Sequence, residues 1–466
     1  MLFSSIPFLF YFLPCVVILY FLAPKCLKNS VLLLSSLFFY AWGEPKYLLL
    51  MLASITQGYV FGLLIERNRG NRRSKIYLTA SILLSLGFLG YFKYADFFIG
   101  NFNAVTGLSI PLLKIALPIG ISFYTFQTLS YTVDVYRGDV PAQKNYIDLA
   151  AYIAMFPQLI AGPIVRYSDI AAQLKTREHG LNDAAIGVRR FIIGLSKKIL
   201  IANILGELVS IFKDSGEKSV LFFWIYAIAY ALQIYFDFSG YSDMAIGLGR
   251  IFGFRFLENF HYPFVSSSIT EFWRRWHISL GSWFRDYLYI PLGGNRVSVP
   301  RWLLNIFIVW MATGLWHGAA WNFVVWGILF AVLLINEKLW LKPALEKAKG
   351  LRHVYVLFFV VISFVIFDAA SIKDAGLSIA SMFGAADIPG VTFETLYYLK
   401  SYAMILAIAA VGSTPLPKKL ISMAKKNKYG KYIVNALEPL VCIVLLAVCT
   451  AFLIDGSFNP FLYFRF

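Results

Sequence analysis

Apolar runs long enough to cross about 30 Å of hydrocarbon as helices recur from one end of the chain to the other, and they constrain the fold more than any other feature. Near-continuous stretches lie at about 6–23, 47–65, 76–92, 110–133, 149–165, 218–236, 302–317, 320–337, 353–368, 397–412 and 433–454. A shorter run at about 31–42 ends in "GEPK" and reads as a tight re-entrant pair with its successor. In lipid every backbone polar group must be satisfied internally, and runs of this length select helices over barrel strands. The chain is 59% hydrophobic and 14% charged, where soluble domains sit nearer half and a quarter. The sequence therefore predicts an all-α polytopic membrane protein with about 11–12 spanning helices, plus shorter re-entrant or interfacial ones. With no internal repeat and no low-complexity linker, it reads as a single domain over 1–466.

The net charge of +17 follows the loops rather than a nucleic-acid face. "ERNRGNRRSK" (66–75) holds five basic residues and one acid, and "KKLISMAKKNKYGK" (418–431) holds six lysines and no acid. Both lie between apolar runs, where cytoplasmic loops of membrane proteins concentrate Lys and Arg. The interval from Asp368 to Glu394 reverses the balance, with four acids and one lysine. On that rule the N terminus is extracytoplasmic and loops 66–75, 338–352 and 418–431 are cytoplasmic. The interval 368–396 and the tail "NPFLYFRF" then fall outside. The implied partner is a bilayer, not nucleic acid. The first run, 6–23, lacks a basic n-region and a small-x-small cleavage site, so it is expected to stay as a helix.

Cys15, Cys26, Cys442 and Cys449 form no C-x-x-C and no zinc-spaced pair with histidine, so no metal site is expected. Between about 166 and 300 the apolar pattern is broken by Arg189, Arg190, Lys197, Lys198, Arg250 and Arg255. In "GVRRFIIGLSKKILIANILGELV" (187–209) the basic pairs fall on one helical face, which suits either an interfacial helix or one buried in protein.

The segment 271–296, "EFWRRWHISLGSWFRDYLYIPLGGNR", departs from the apolar rule most. Glu271, Arg274, Arg275, His277, Arg285, Asp286 and Arg296 gather there around Trp273, Trp276 and Trp283. At the centre of a membrane helix each Arg or Asp costs roughly 2.5–3.5 kcal/mol even on lenient scales. Such groups line a polar cavity or lie at a membrane surface. "PLGGNR" is a turn signal, so the segment predicts a short helix that dips in and returns by a loop. Irregular backbone at that depth survives only where protein buries it or it lines a cavity, which makes this segment the floor of a site.

Further on, "WMATGLWHGAAWNFVVWG" (310–327) holds a single ionisable group, His317, among small residues and four tryptophans. If helical throughout, the run sets His317 beside Thr313, Gly314 and Trp321. An imidazole in such surroundings suits proton transfer; the alternative is a structural histidine bonded to a carbonyl. His277 divides between interfacial, structural and functional readings, and His179, His261 and His353 read as loop histidines. No P-loop, G-x-G-x-x-G, H-E-x-x-H or G-x-S-x-G is present. Asp237 and Asp243 in "FDFSGYSD" form either a network with nearby arginines, which the local excess of basic groups favours, or a cation site.

On these residues the chain resembles a known family. "FPQLIAGPIVRY" (156–167), "YFDFSGYSDMAIGLGRIFGF" (235–254), "FWRRWHISLGSWFRDYLYIPLGGNR" (272–296), "GLWHGAAWNFVVWG" (314–327) and the tail "NPFLYFRF" look like the membrane-bound O-acyltransferases. More narrowly they resemble the bacterial branch for alginate, peptidoglycan and cell-wall O-acetylation and teichoic-acid D-alanylation. The start "MLFSSIPFLFYFLP" and "FYAWGEPKYLLLM" look like the alginate type. The resemblance covers essentially the whole chain, with the catalytic core at about 156–327.

The resemblance implies a ring of helices around a central funnel, with a tunnel joining the two faces of the bacterial cytoplasmic membrane. The family's hallmark histidine in the W-H-G motif matches His317, and its second, in R-R-W-H, matches His277. "NFHYPF" departs from the pattern, with His261 where relatives usually carry asparagine. Trp273, Arg274, Arg275, Trp276, Trp316, Asn322 and Asp237 are the candidates for lining the substrate path. An acyl thioester, acetyl-CoA or a phosphopantetheine-linked acyl carrier, is the implied donor. A hydroxyl on a polysaccharide or peptidoglycan is the implied acceptor, reached with a membrane-anchored or secreted partner transferase. D-alanyl transfer from a carrier protein is the second reading, and a transporter without acyl-transfer chemistry the third.

Overall fold

The computed structural model describes residues 1–456, which are helical apart from turns and loops. The tail "NPFLYFRF" lies outside the described residues. Among the described residues eight helices are long and apolar enough to cross a bilayer: Pro45–Arg67, Arg72–Thr106, Val220–Ile251, Val299–His317, Trp321–Lys347, Leu351–Asp368, Phe393–Gly412 and Lys428–Ile454, and Pro7–Leu22 is a shorter apolar helix. Two of the apolar runs account for much of the gap from the expected 11–12. In the run 110–133 only the part within Ile121–Arg137 is helical, and nearly all side chains of that helix are buried. The run 149–165 is a short helix, Tyr146–Ala154, a single turn and a buried extended segment. Ile121–Arg137 and the run 149–165 are apolar because protein surrounds them, whereas residues 110–117 are mostly exposed. Hydropathy does not separate a protein core from lipid.

The chain divides into two compact units, residues 1–191 with 242–257 and residues 192–241 with 258–466. In the first, α1 (Leu48–Arg67), α2 (Arg72–Leu89) and α3 (Ile121–Arg137) pack together. Gly58 and Gly62 of α1 leave no room for a Cβ against Thr128 and Tyr131 of α3, the small-residue contact by which membrane helices approach. A polar seam runs through the same trio: Gln57 Nε2 donates to Ser81 Oγ at 2.7 Å, and Ser85 Oγ donates to Gln57 Oε1 at 3.1 Å. In this unit Arg190 donates twice to Asp243 Oδ1, from Nε at 3.0 Å and Nη2 at 2.9 Å.

Helix α4 (Leu181–Ser196) continues through one wide turn, Lys197–Asn203, into α5 (Ile204–Asp214). Helix α6 (Val220–Ile251) is the most enclosed of the long helices, with 78% of its most apolar window buried. Within the second unit Lys198 and Asp237 form a salt bridge of 2.7 Å, both almost wholly buried. The rest of this unit is α7 (Ile269–Arg275), α8 (Ile278–Phe284), α9 (Val299–His317), α10 (Trp321–Asn336), α11 (Leu351–Asp368), α12 (Phe393–Gly412) and α13 (Lys428–Ile454), joined by shorter turns. Its apolar core draws on α5, α6, α7, α9, α10 and α11.

Candidate active site

The site residues singled out by sequence all lie in the second unit, Asp237 on α6 and the others around a site of three pieces, two of chain and one of the space between them. The first is α7 with the turn after it. Ser268 caps this helix, its Oγ accepting from Glu271 N at 3.0 Å, which satisfies one of the amides that a helix start leaves open. The helix ends after seven residues, and His277 takes φ +43°, a left-handed conformation uncommon outside glycine. Asn259 holds it there. Its Oδ1 accepts from Ser279 Oγ at 2.9 Å and Ser279 N at 3.3 Å, and lies 3.2 Å from His277 Nδ1. Its carbonyl accepts from Ile278 N at 3.0 Å.

An oxygen that accepts from His277 Nδ1–H leaves Nε2 as the acceptor nitrogen of a neutral ring. Nε2 is buried and meets no hydrogen-bond partner among the described residues. Burial pushes the His277 imidazole well below its ordinary pKa, with His317 a further cause in the same direction, because a desolvated ring disfavours its charged form.

The second piece is the hairpin of α9 and α10. The helices cross where Gly314 faces the Phe323 carbonyl and Gly327 faces the Trp310 carbonyl, so neither position has space for a side chain. The first helix stops at His317, and Gly318 continues in extended conformation. The helix is thus broken between His317 and Trp321, where the sequence reading assumed an unbroken run. Trp321 begins the next helix and is exposed. Rings beside His317 include Trp316, Trp326 and Phe367, at centroid distances of 5.0, 5.1 and 5.3 Å. Trp316 also meets the His277 ring at 5.9 Å, so one indole touches both imidazoles.

The third piece is the space between these elements. A cavity of about 450 Å³ is lined by Trp273, Arg274 and His277 from the first piece, by Trp310 and Thr313 of α9, and by Lys338 just after α10. Its wall is mostly apolar, with Ile278, Leu280 and Val309 among the lining residues. A second cavity of about 450 Å³ shares Thr270, Arg274 and Lys338 with it. That one adds Lys342 and Arg352 to the cations, with Glu271, Glu337 and Glu346 as the acids. Burial acts to raise the Glu271 carboxyl, but hydrogen bonds from Ser267 and Arg275 outweigh it and hold the group below its ordinary pKa.

Of the sequence candidates, Trp273, Arg274 and His277 share the first cavity, and Trp316 touches both His277 and His317. Arg275 pairs with Glu271 at 2.7 Å and donates to the His261 carbonyl at 3.2 Å. Trp276 stacks on Phe272 in the apolar core. Asn322 donates to the carbonyls of Phe367 and Ala369 at 3.3 and 3.0 Å, tying α10 to the end of α11. Asp237 is taken by Lys198. Sequence reading passed over Asn259, Thr270, Glu337 and Lys338. Lys338 and Glu337 carried the one available signal, a charged pair closing an apolar run, whereas nothing near Asn259 in the sequence announces its contact with a residue beyond α7.

A family model for MBOAT, the membrane-bound O-acyltransferase family, matches residues 139–373. The probable alginate O-acetylase of Azotobacter vinelandii is 40% identical over the full length of both chains. The peptidoglycan O-acetyltransferase of Helicobacter pylori is 32% identical across 100% of this chain and 98% of its own. The teichoic acid D-alanyltransferase of Bacillus subtilis is 29% identical over 54% of this chain and 68% of its own. With these matches, the apolar helices and the two histidine-bearing segments, the chain belongs to the membrane-bound O-acyltransferase family and is a multi-pass membrane O-acyltransferase.

Proposed function

We propose that this enzyme moves an acetyl group from a cytoplasmic thioester to a hydroxyl on an extracytoplasmic polysaccharide or peptidoglycan. The observation that carries the reading is the His277 imidazole, buried on an apolar cavity with Nε2 unmatched among the described residues and with one indole in contact with both it and His317. The acceptor hydroxyl gives its proton to His317 as its oxygen attacks the thioester carbonyl. The new C–O bond forms, the C–S bond breaks, and the departing thiolate takes a proton back from the ring. Such general base work contributes on the order of 10² to 10⁴ in rate. The carbonyls at the C-terminal end of α9 complement the positive charge that develops on the ring.

With Nδ1–H committed to Asn259, His277 acts as an acceptor, orienting the donor arm through an N–H of that arm rather than donating to the acyl oxygen. The tryptophan-lined first cavity, which His277 borders, takes the arm. Arg274, Lys338, Lys342 and Arg352 meet its phosphates in the second cavity. The chain lies in the bacterial cytoplasmic membrane with its N terminus outside, and a membrane-anchored or secreted transferase completes the delivery. D-alanyl transfer from a carrier protein is the second reading, supported by the likeness to the teichoic acid enzyme over about half of the chain.

The test is thiol release by purified enzyme in vesicles, with an acidic polysaccharide or glycan acceptor on the opposite face. Acetyl-CoA is expected to turn over and a D-alanyl carrier protein to be inert. Turnover of the carrier alone overturns the acetyl reading.

A further inference from the structure

We propose that Glu337 is a positioning residue for the transfer reaction, acting through His277. The inference rests on the reading of His277 given above. Glu337 follows α10 directly, and its side chain is buried with 3% of the residue exposed. A buried carboxylate is tolerated only where donors satisfy it, and here every recorded donor comes from one place. The backbone N–H groups of Ile269 and Thr270 and the Thr270 hydroxyl all donate to it, the last two at 3.0 and 2.9 Å.

Those amides open α7, the seven-residue helix that leads into His277. A helix of two turns is not stable by itself, and its first amides have no partner within the helix. Ser268 supplies one local cap. Glu337 supplies the rest from 67 and 68 residues along the chain. The charge is placed where the helix dipole favours an anion.

The consequence is geometric. At about 1.5 Å per residue α7 is roughly 10 Å long, with the carboxylate at one end and His277 just past the other. Glu337 is also the continuation of α10, which is locked to α9 at the Gly314–Gly327 crossing and so to His317. One carboxylate thus joins the histidine on the short arm to the histidine on the hairpin. It sits beside Lys338 in the wall of the second cavity, while its hydrogen bonds go to Ile269 and Thr270 of α7. Its role is to hold, not to react. A misplacement of about 1 Å at a reacting group costs on the order of 100-fold in rate, so a freed α7 is expressed in turnover.

The experiment is a cycle of Glu337→Ala and His277→Ala in full-length enzyme in vesicles, with kcat taken per folded molecule. Glu337→Ala alone is expected to lower kcat about 100-fold. Glu337→Gln, which keeps an acceptor oxygen, is expected to stay within about tenfold of the parent enzyme. On the His277→Ala background the Glu337 substitution is expected to add less than a twofold further loss, because the group it positions is gone. Multiplicative losses on an impaired His277→Ala enzyme overturn the positioning role and leave the His277 reading intact. A silent His277→Ala removes both. If Glu337→Ala does not accumulate, the same cycle with Glu337→Gln or Thr270→Val decides by the same criterion.

Discussion

The arm that carries His277 is held by hydrogen bonds, whereas the hairpin that carries His317 is held by glycines and rings in contact. On the arm, Ser268, Glu337 and Asn259 satisfy the backbone of two short helices, and His277 keeps a left-handed turn. On the hairpin, two regular helices meet at Gly314 and Gly327, and Trp316, Trp326 and Phe367 close around the imidazole. The difference follows from length. A helix of 19 residues satisfies its own backbone and needs only a shape to pack against. A helix of seven residues needs partners for most of its polar groups. Within one site, rigidity comes from two kinds of interaction with different sensitivities to substitution.

Three substitutions test that contrast. His317→Ala leaves the packing of the hairpin backbone alone and removes the proposed base. It is expected to lower kcat by about 10² to 10⁴ with expression unchanged, measured as thiol release against a folded-protein standard. Near-normal turnover takes His317 out of the mechanism. Gly314→Leu strikes the hairpin where the Phe323 carbonyl leaves no space; overpacking of this kind costs about 1–3 kcal/mol. Thermal unfolding in detergent should show it, and an unshifted midpoint means that the crossing is loose. Ser268→Ala removes one local cap from the arm and is expected to cost about 1 kcal/mol. The same assay reads it, and a larger loss than at Gly314 reverses the ranking of the two regions.

Much of this was legible in the sequence, for physical reasons that also set the boundary. An apolar run long enough to span lipid identifies helices, and a cluster such as Arg274, Arg275 and His277 in such a chain marks enclosed polar space. The run 149–165 and the helical part of the run 110–133 were not separable from spans, since burial in protein and in lipid select the same residues. The end of the helix at His317 was hidden because Gly318, Ala319 and Ala320 are as common inside membrane helices as at their breaks. Asn259 and Glu337 act on backbone amides, and a backbone amide has no letter in the sequence. Their partners emerge only when α7 is placed.

The Lys198–Asp237 bridge is buried on both sides, so removing one partner costs more than the bridge itself contributes, because the charge left behind is out of reach of water.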